Sequence, residues 1–252
     1  MEFVIGIGLG LVSGVLSGLV GIGGGTVIIP ALVLGLGYSQ HQAQGTALMA
    51  FAFPIFAAAA WNYYRFKRVR ITLALAMAAS LAVSSYFVAH LVVHKINGDD
   101  LKKIFAVFLV LMAAYIFYKS LRPIQAKPAE QPDRWREGLV GLLVGALTGA
   151  IKGLTGLGGG VIMVPLLLLL GRIDQHTAQG TSLFTMTLPV AFMAAIPYWQ
   201  EGHVQWWMVW GLVIGIIIGS FFSSRFAQKL AGPLLARIFS TTIGIMGIIM
   251  LL

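Results

Sequence analysis

The chain has 252 residues, of which 58% are apolar and only 10% charged, with 31 glycines and a mean hydropathy of +0.90. A soluble domain carries about 25% charged residues, so this is the composition of an integral membrane protein with many spans, which excludes a secreted domain, a nucleic-acid module and a disordered linker protein. The net charge of +9 comes from 17 Lys and Arg against 8 acids. Most of the basic residues lie between apolar segments, where they orient a protein in a bilayer rather than bind nucleic acid.

In chain order the apolar segments are 3–20, 26–37, 42–61, 71–93, 101–118, 138–155, 161–171, 177–198, 206–224 and 234–252. A full span needs about 20 residues. Met1-Glu2 leads into the first segment without the basic region of a cleaved signal peptide, so that segment is read as a permanent span. Segments 26–37 and 161–171 are too short to cross, and each follows a glycine triplet; they are expected to be half-helices or re-entrant pieces. Lys119–Glu137, with Pro123, Pro128 and Pro132, is the one plausible linker. With no cysteine in the chain, disulfides, thiolate metal sites and thiol catalysis are excluded.

An internal repeat is the most informative feature. Gly18–Pro54 aligns without a gap onto Gly153–Pro189 at an offset of 135, with 17 of the 37 positions identical. The same offset carries Gly6, Gly10, Gly14 and Gly18 onto Gly141, Gly145, Gly149 and Gly153, and Ala76, Ser80 and Ser84 onto Gly211, Gly215 and Gly219. Small residues every fourth position form one helix face and let two backbones approach closely, which is how helices associate in lipid. A pore-lining or sliding face is the functional alternative.

Lys and Arg in the loops set the expected orientation. Loop 62–70 holds Arg65, Lys67, Arg68 and Arg70, and the linker holds Lys119, Arg122, Lys127, Arg134 and Arg136; both should be cytoplasmic. Two spans separate them, which places loop 94–100 outside despite Lys95, Lys102 and Lys103. Loop 199–205, the partner of 62–70 in the repeat, has Glu201 and no Lys or Arg, so it should lie outside. Equivalent loops then face opposite sides. The expected fold is an all-α polytopic membrane protein of two inverted-topology repeats of about five segments each, an arrangement common in secondary transporters. The first repeat would cover 1–118, the cytoplasmic linker 119–137 and the second repeat 138–252.

One motif occurs twice: Gly23-Gly24-Gly25, Pro30, Gln40-His41, Ala43-Gln44-Gly45-Thr46, Pro54; then Gly158-Gly159-Gly160, Pro165, Gln175-His176, Ala178-Gln179-Gly180-Thr181, Pro189. On these residues, and over essentially its whole length, the chain resembles the TauE/SafE family of sulfite exporters, the TSUP transporters. The resemblance implies a multi-pass protein of the cell inner (plasma) membrane that transports sulfite or a related small sulfur-containing anion.

The residues themselves lead to a compatible place. Each glycine in a helix costs roughly 1 kcal/mol, so a triplet marks a break, and a broken helix in lipid must line a cavity or be buried in protein. Helix N-termini at such a break suit an anion. The candidate substrate-binding residues are Gln44, Gly45, Thr46, Gln179, Gly180, Thr181, Lys152, Gly24, Gly25, Gly159 and Gly160. The polar side chains among them also serve if they only satisfy the broken backbone. All eight acids lie in loops, at segment edges or at the N-terminus, whereas cation or proton pumps commonly place one deep in a span. Lys152 lies fourteen residues beyond Gly138, about 21 Å along a helix and past the midplane of the bilayer core; it either meets an anion or snorkels to the outer interface. Its repeat partner is Ser17.

His41 and His176 are matched and could couple protons to transport, or else cap helices at the interface. Trp61, Trp199, Trp206 and Trp207 flank segment ends as interfacial aromatics do. No dinucleotide fingerprint, P-loop, metal cluster or nucleophile–base pair is present, so no cofactor, metal or enzymatic activity is expected. The expectation is a carrier of a small oxyanion such as sulfite, one repeat rocking against the other, with an anion channel or a carrier of another small organosulfonate or organic anion as alternatives. The partners would be that anion and the lipid bilayer; the oligomeric state is left open, a homodimer being compatible.

Overall fold

A computed structural model describes residues 1–20, 24–121, 134–226 and 232–252. Among these the regular structure is all helix, with no strand, and the chain is a multi-pass membrane protein. In the first half, α1 (Glu2–Val20) is followed by α2 (Gly25–Pro30), α3 (Gln40–Ala52), α4 (Ala57–Arg65), α5 (Ile71–Lys95) and α6 (Gly98–Leu121). The second half repeats the order as α7 (Arg134–Thr155), α8 (Gly160–Leu169), α9 (Gln175–Thr187), α10 (Val190–Gln200), α11 (Trp206–Phe226) and α12 (Gly232–Leu251). Helices α6 and α7 run into the stretch expected to be a linker; its middle, 122–133, lies outside the described residues, as does Gly23 of the first triplet.

Local chemistry sets the breaks, alike in both halves except after Pro30, whose counterpart Pro165 lies within the regular helix α8. Phe53 (ψ 152°) and Leu188 (ψ 148°) are extended because each precedes a proline, whose ring disfavours the helical region for its predecessor. The apolar stretches 42–61 and 177–198 are therefore each two helices; α9 and α10 meet at a 45° bend. Pro30 withdraws an N–H and crowds the preceding turn, and the helix widens into a π turn over Ala31–Gly35 directly after it. Ser39 starts α3 with a capping box, its hydroxyl accepting from Gln42 N (3.2 Å) while Gln42 Oε1 accepts from Ser39 N (3.1 Å). At the equivalent place Asp174 caps α9 by accepting from His176 N and Thr177 N, both at 3.1 Å. Burial works against the Asp174 carboxylate, but bonds from the Thr177 side chain and backbone and the charge of Arg68 outweigh it and hold the group below its usual range.

The halves interlock. Helix α1 packs along α11, α7 along α5, and α6 along α12, so the most extensive helix pairs join one half to the other. The glycine ladders are the seams. A Cβ on Gly10 would stand 2.9 Å from Gly215 Cα and 2.6 Å from the Leu212 carbonyl. One on Gly141 would stand 2.8 Å from Ala76 Cβ, and one on Gly145 2.8 Å from Met77 Cα. The close-packing reading of the ladders is the one the structure takes.

Helices Ile71–Lys95, Gly98–Tyr118 and Trp135–Thr155 are long and apolar enough to cross a bilayer. Their outward faces present residues such as Leu75, Val83, Phe87 and Leu111, all more than half exposed. An apolar exterior of this kind is unfavourable in water and natural in lipid. Among the described residues, no Asp or Glu is buried, and Lys152 is the only Lys or Arg that is.

The two ends of α5 anchor different loop clusters. At its start Arg68 pairs with Asp174 (3.4 Å) and Arg70 with Glu137, fastening loop 66–70 to the beginnings of α9 and α7. Beyond its other end His41 donates from Nε2 to the Ile96 carbonyl (3.1 Å), and His94 Nε2 lies 3.4 Å from Glu201 Oε1. Loops 66–70 and 201–205, equivalent in the repeat, therefore sit about 37 Å apart along the 25 residues of α5.

Candidate functional site

The two glycine breaks meet in the interior. Gly25, at the start of α2, is so close to the second break that a Cβ there would lie 3.3 Å from both Gly158 N and Leu157 Cα. Helix α7 ends at Thr155, and Gly156 turns the chain with a φ of +70°, a conformation glycine adopts without penalty. Its N–H donates to the Lys152 carbonyl at 2.8 Å. Gly156 also has no room for a side chain, because a Cβ would stand 2.9 Å from both Cβ and Cγ of Gln44. Gly25, Gln44, Lys152 and the Leu157–Gly160 segment thus gather at one junction between the halves.

Lys152 is 1% exposed. Among the described residues no carboxylate lies within ion-pairing distance of it and no acceptor takes a hydrogen bond from its ammonium. The side chain is enclosed by protein and does not snorkel. Such a charge is costly unless something of opposite sign meets it.

The two Gln-Gly-Thr segments make equivalent contacts with the opposite half. Tyr198 donates to Gln44 Oε1 at 2.8 Å, and Tyr63, its partner at the offset of 135, donates to Gln179 Oε1 at 3.2 Å. Thr46 Oγ1 accepts from Gln205 N at 3.1 Å, and Thr181 Oγ1 accepts from Arg70 N at 3.2 Å. A Cβ on Gly45 would stand 2.8 Å from Tyr198 Cβ, and one on Gly180 2.9 Å from Tyr63 Cβ. Every element of one clasp maps onto the other. In each, the acceptor oxygen of the glutamine is spent on the opposite half and its amide N–H groups remain. Gln44 makes one long donation to the Leu154 carbonyl (3.4 Å), which leaves a second N–H.

The remaining candidates are placed as follows. Gly24 lies against Ser13 and Gly159 against Thr148, again equivalent by the repeat, and Gly160 opens α8. His41 is buried and stacks on His203 with ring centroids 5.3 Å apart. Burial also holds the loop imidazole of His203 below its usual value, against the pull of Glu201. His176 is exposed beside Asp174. Sequence reasoning did not single out Tyr63, Tyr198 or Gln205, and named Arg70 only as a charge that orients the protein. The usable signal was that the offset of 135 carries the first tyrosine onto the second.

Comparison with known proteins finds a family of membrane proteins. The model of the family described as Sulfite exporter TauE/SafE matches residues 6–250. The probable membrane transporter protein YunE of Bacillus subtilis (strain 168) is 26% identical over 227 residues, covering 82% of this chain and 81% of that one. The probable membrane transporter protein MJ0441 of Methanocaldococcus jannaschii is 30% identical over 165 residues, 63% of this chain and 59% of that protein. No solved structure matches the chain.

Proposed function

The chain belongs to the sulfite exporter TauE/SafE family and is a membrane transporter, not an enzyme; we propose that its cargo is a small sulfur-containing oxyanion, sulfite first, exported by alternating access. The observation that carries this reading is the unpaired, enclosed Lys152 at the junction of two glycine breaks, with no buried carboxylate among the described residues. Lys152 supplies the charge and the backbone at Gly24, Gly25, Gly159 and Gly160 supplies N–H groups. Gln44 contributes a neutral donor at the junction, whereas Thr46 on one side and Gln179 and Thr181 on the other, held to loops at opposite ends of α5, offer donors along the path to it; Gly45 and Gly180 let the opposite half approach. The unspent amide N–H groups have the polarity an anion needs. His41 and His176 would carry coupled protons.

The repeats are read as inverted, in the inner membrane, with loop 62–70 and the linker cytoplasmic. Support comes from the positive charge of that loop, its ion pair to Glu137 at the start of α7, and the position of loop 201–205 beyond the opposite end of α5. The glycine seams weld α1 to α11 and α5 to α7, so the units that move are these cross-repeat pairs rather than whole repeats. A cysteine at Arg68 should react only from the cytoplasmic side and one at Gly202 only from outside. The Arg68 ion pair is exposed and contributes at most about 1 kcal/mol, so the substitution leaves the fold intact. Labelling of both from one side would overturn the inversion.

Purified protein in liposomes should take up sulfite with saturation when tested against a panel of inorganic and organic anions. Discrete conductance steps in planar bilayers would instead identify a channel.

A further inference from the structure

Three threonines in this protein's helices return their hydroxyl to the carbonyl one turn back. Thr155 donates to the Ile151 carbonyl at 2.7 Å, Thr185 to Thr181 at 2.9 Å and Thr187 to Leu183 at 2.9 Å. Thr148 does not. Its Oγ1 is enclosed, with the residue 0% exposed, and has no hydrogen-bond partner. The side chain lies against Gly159, where a Cβ would stand 3.0 Å from Thr148 Cγ2. Gly159 is the N-cap of the ten-residue α8 and provides no side chain to cap its first N–H groups. Lys152 follows Thr148 by one helical turn, so the two side chains share a face of α7.

The arrangement is repeated in the first half with one difference. Ser13, equivalent to Thr148, is also fully enclosed, also without a partner, and also set against a glycine, Gly24. The residue equivalent to Lys152 is Ser17, so this half carries the hydroxyl without the charge.

Resting on the reading that Lys152 meets the transported anion, we infer that Thr148 is a second ligand of that anion, donating from Oγ1 beside the Lys152 ammonium and the uncapped N-terminus of α8. A buried hydroxyl without a partner costs free energy, and an anion oxygen arriving between α7 and α8 removes that cost. The inference brings three kinds of donor to one anion: the Thr148 hydroxyl, the Lys152 ammonium one turn along α7, and backbone N–H groups at the start of α8. That set fits an oxyanion offering several acceptor oxygens to separate donors, as sulfite does, and gives a halide no comparable advantage. The Ser13–Gly24 counterpart lacks a charge, so the side-chain ligands of the anion, Lys152 and Thr148, both come from the second half.

The test is calorimetric titration of sulfite, and separately of chloride, into purified wild type and the Thr148→Val, Thr148→Ser, Ser13→Ala and Lys152→Met variants. Thr148→Val keeps the shape and removes the hydroxyl, so sulfite affinity should fall roughly tenfold or more. Thr148→Ser should restore it to within about threefold, and Ser13→Ala should stay within about twofold of wild type. The ligand-free melting temperature of Thr148→Val should equal or exceed that of wild type, which separates lost binding from lost folding. Wild-type affinity for sulfite in Thr148→Val, with binding lost in Lys152→Met, would overturn the role of Thr148 and leave the transport reading standing. Chloride binding as tight as sulfite would overturn the oxyanion preference. Failure of wild type to bind any oxyanion would remove the underlying reading and this inference with it.

Discussion

Lys152→Met is expected to weaken sulfite binding by roughly tenfold to a hundredfold and, in the same molecule, to raise the melting temperature without ligand. The two effects have opposite signs for one reason. Lys152 is enclosed, and no described residue neutralises it. A lysine at the centre of a spanning helix costs about 2.5–3.5 kcal/mol on insertion scales, and methionine of similar length removes that cost. The anion loses a charge-assisted bond that contributes about 1.5–3 kcal/mol, which is the stated range in affinity. Calorimetry and thermal melting on one preparation read both quantities. A variant that melts higher and binds sulfite as wild type does would show that the charge serves no anion.

Gly10→Ala should unfold the protein at markedly lower temperature, whereas Gly8→Ala, two residues away, should not. The added methyl at position 10 would stand 2.6 Å from the Leu212 carbonyl, 2.9 Å from Gly215 Cα and 3.0 Å from Ile216 N, all backbone atoms of α11. Backbone cannot swing aside like a flexible side chain, so the seam between α1 and α11 must open. Overpacking of this kind costs about 1–3 kcal/mol, and more where nothing yields; each kcal/mol is worth roughly 2–4 °C in a chain of this size. At Gly8 a methyl would meet nothing within 4 Å, and alanine is the better helix former. Gly145→Ala and Gly138→Ala should form a second such pair on α7, since Gly145 abuts Met77 and Gly138 faces open space. Equal melting of the partners in both pairs would refute the seam.

Some of this architecture was legible in the sequence because it depends on local chemistry or on repetition. The ladder Gly6, Gly10, Gly14 and its counterpart Gly141, Gly145, Gly149 could be read as packing faces, since a four-residue spacing of small side chains has few other uses in lipid. The breaks before Pro54 and Pro189 were missed, since 42–61 and 177–198 were read as single segments, although proline disfavours the helical region for its predecessor. That Lys152 stands far along an apolar helix followed from counting residues along α7; that protein encloses it did not. What joins the halves was not legible. Gln44 takes its hydrogen bond from Tyr198, 154 residues away, and no spacing rule brings those two together. The offset of 135 that aligned the motifs also carries Tyr63 onto Tyr198 and Ser13 onto Thr148, but it could not tell that the tyrosines bond across the halves while the two hydroxyls stay unpartnered. Thr148 passed as one more small residue in an apolar helix because a threonine hydroxyl ordinarily bonds its own helix. Only the structure reveals that this one does not.

The most direct test of the account is counterflow of labelled sulfite in liposomes that hold purified protein and an excess of unlabelled sulfite. A carrier with one anion site that faces each side in turn should drive transient accumulation of label inside above its outside concentration, and Lys152→Met should abolish that overshoot. Label that equilibrates without an overshoot in wild type, or an overshoot of the same size in Lys152→Met, would contradict the account.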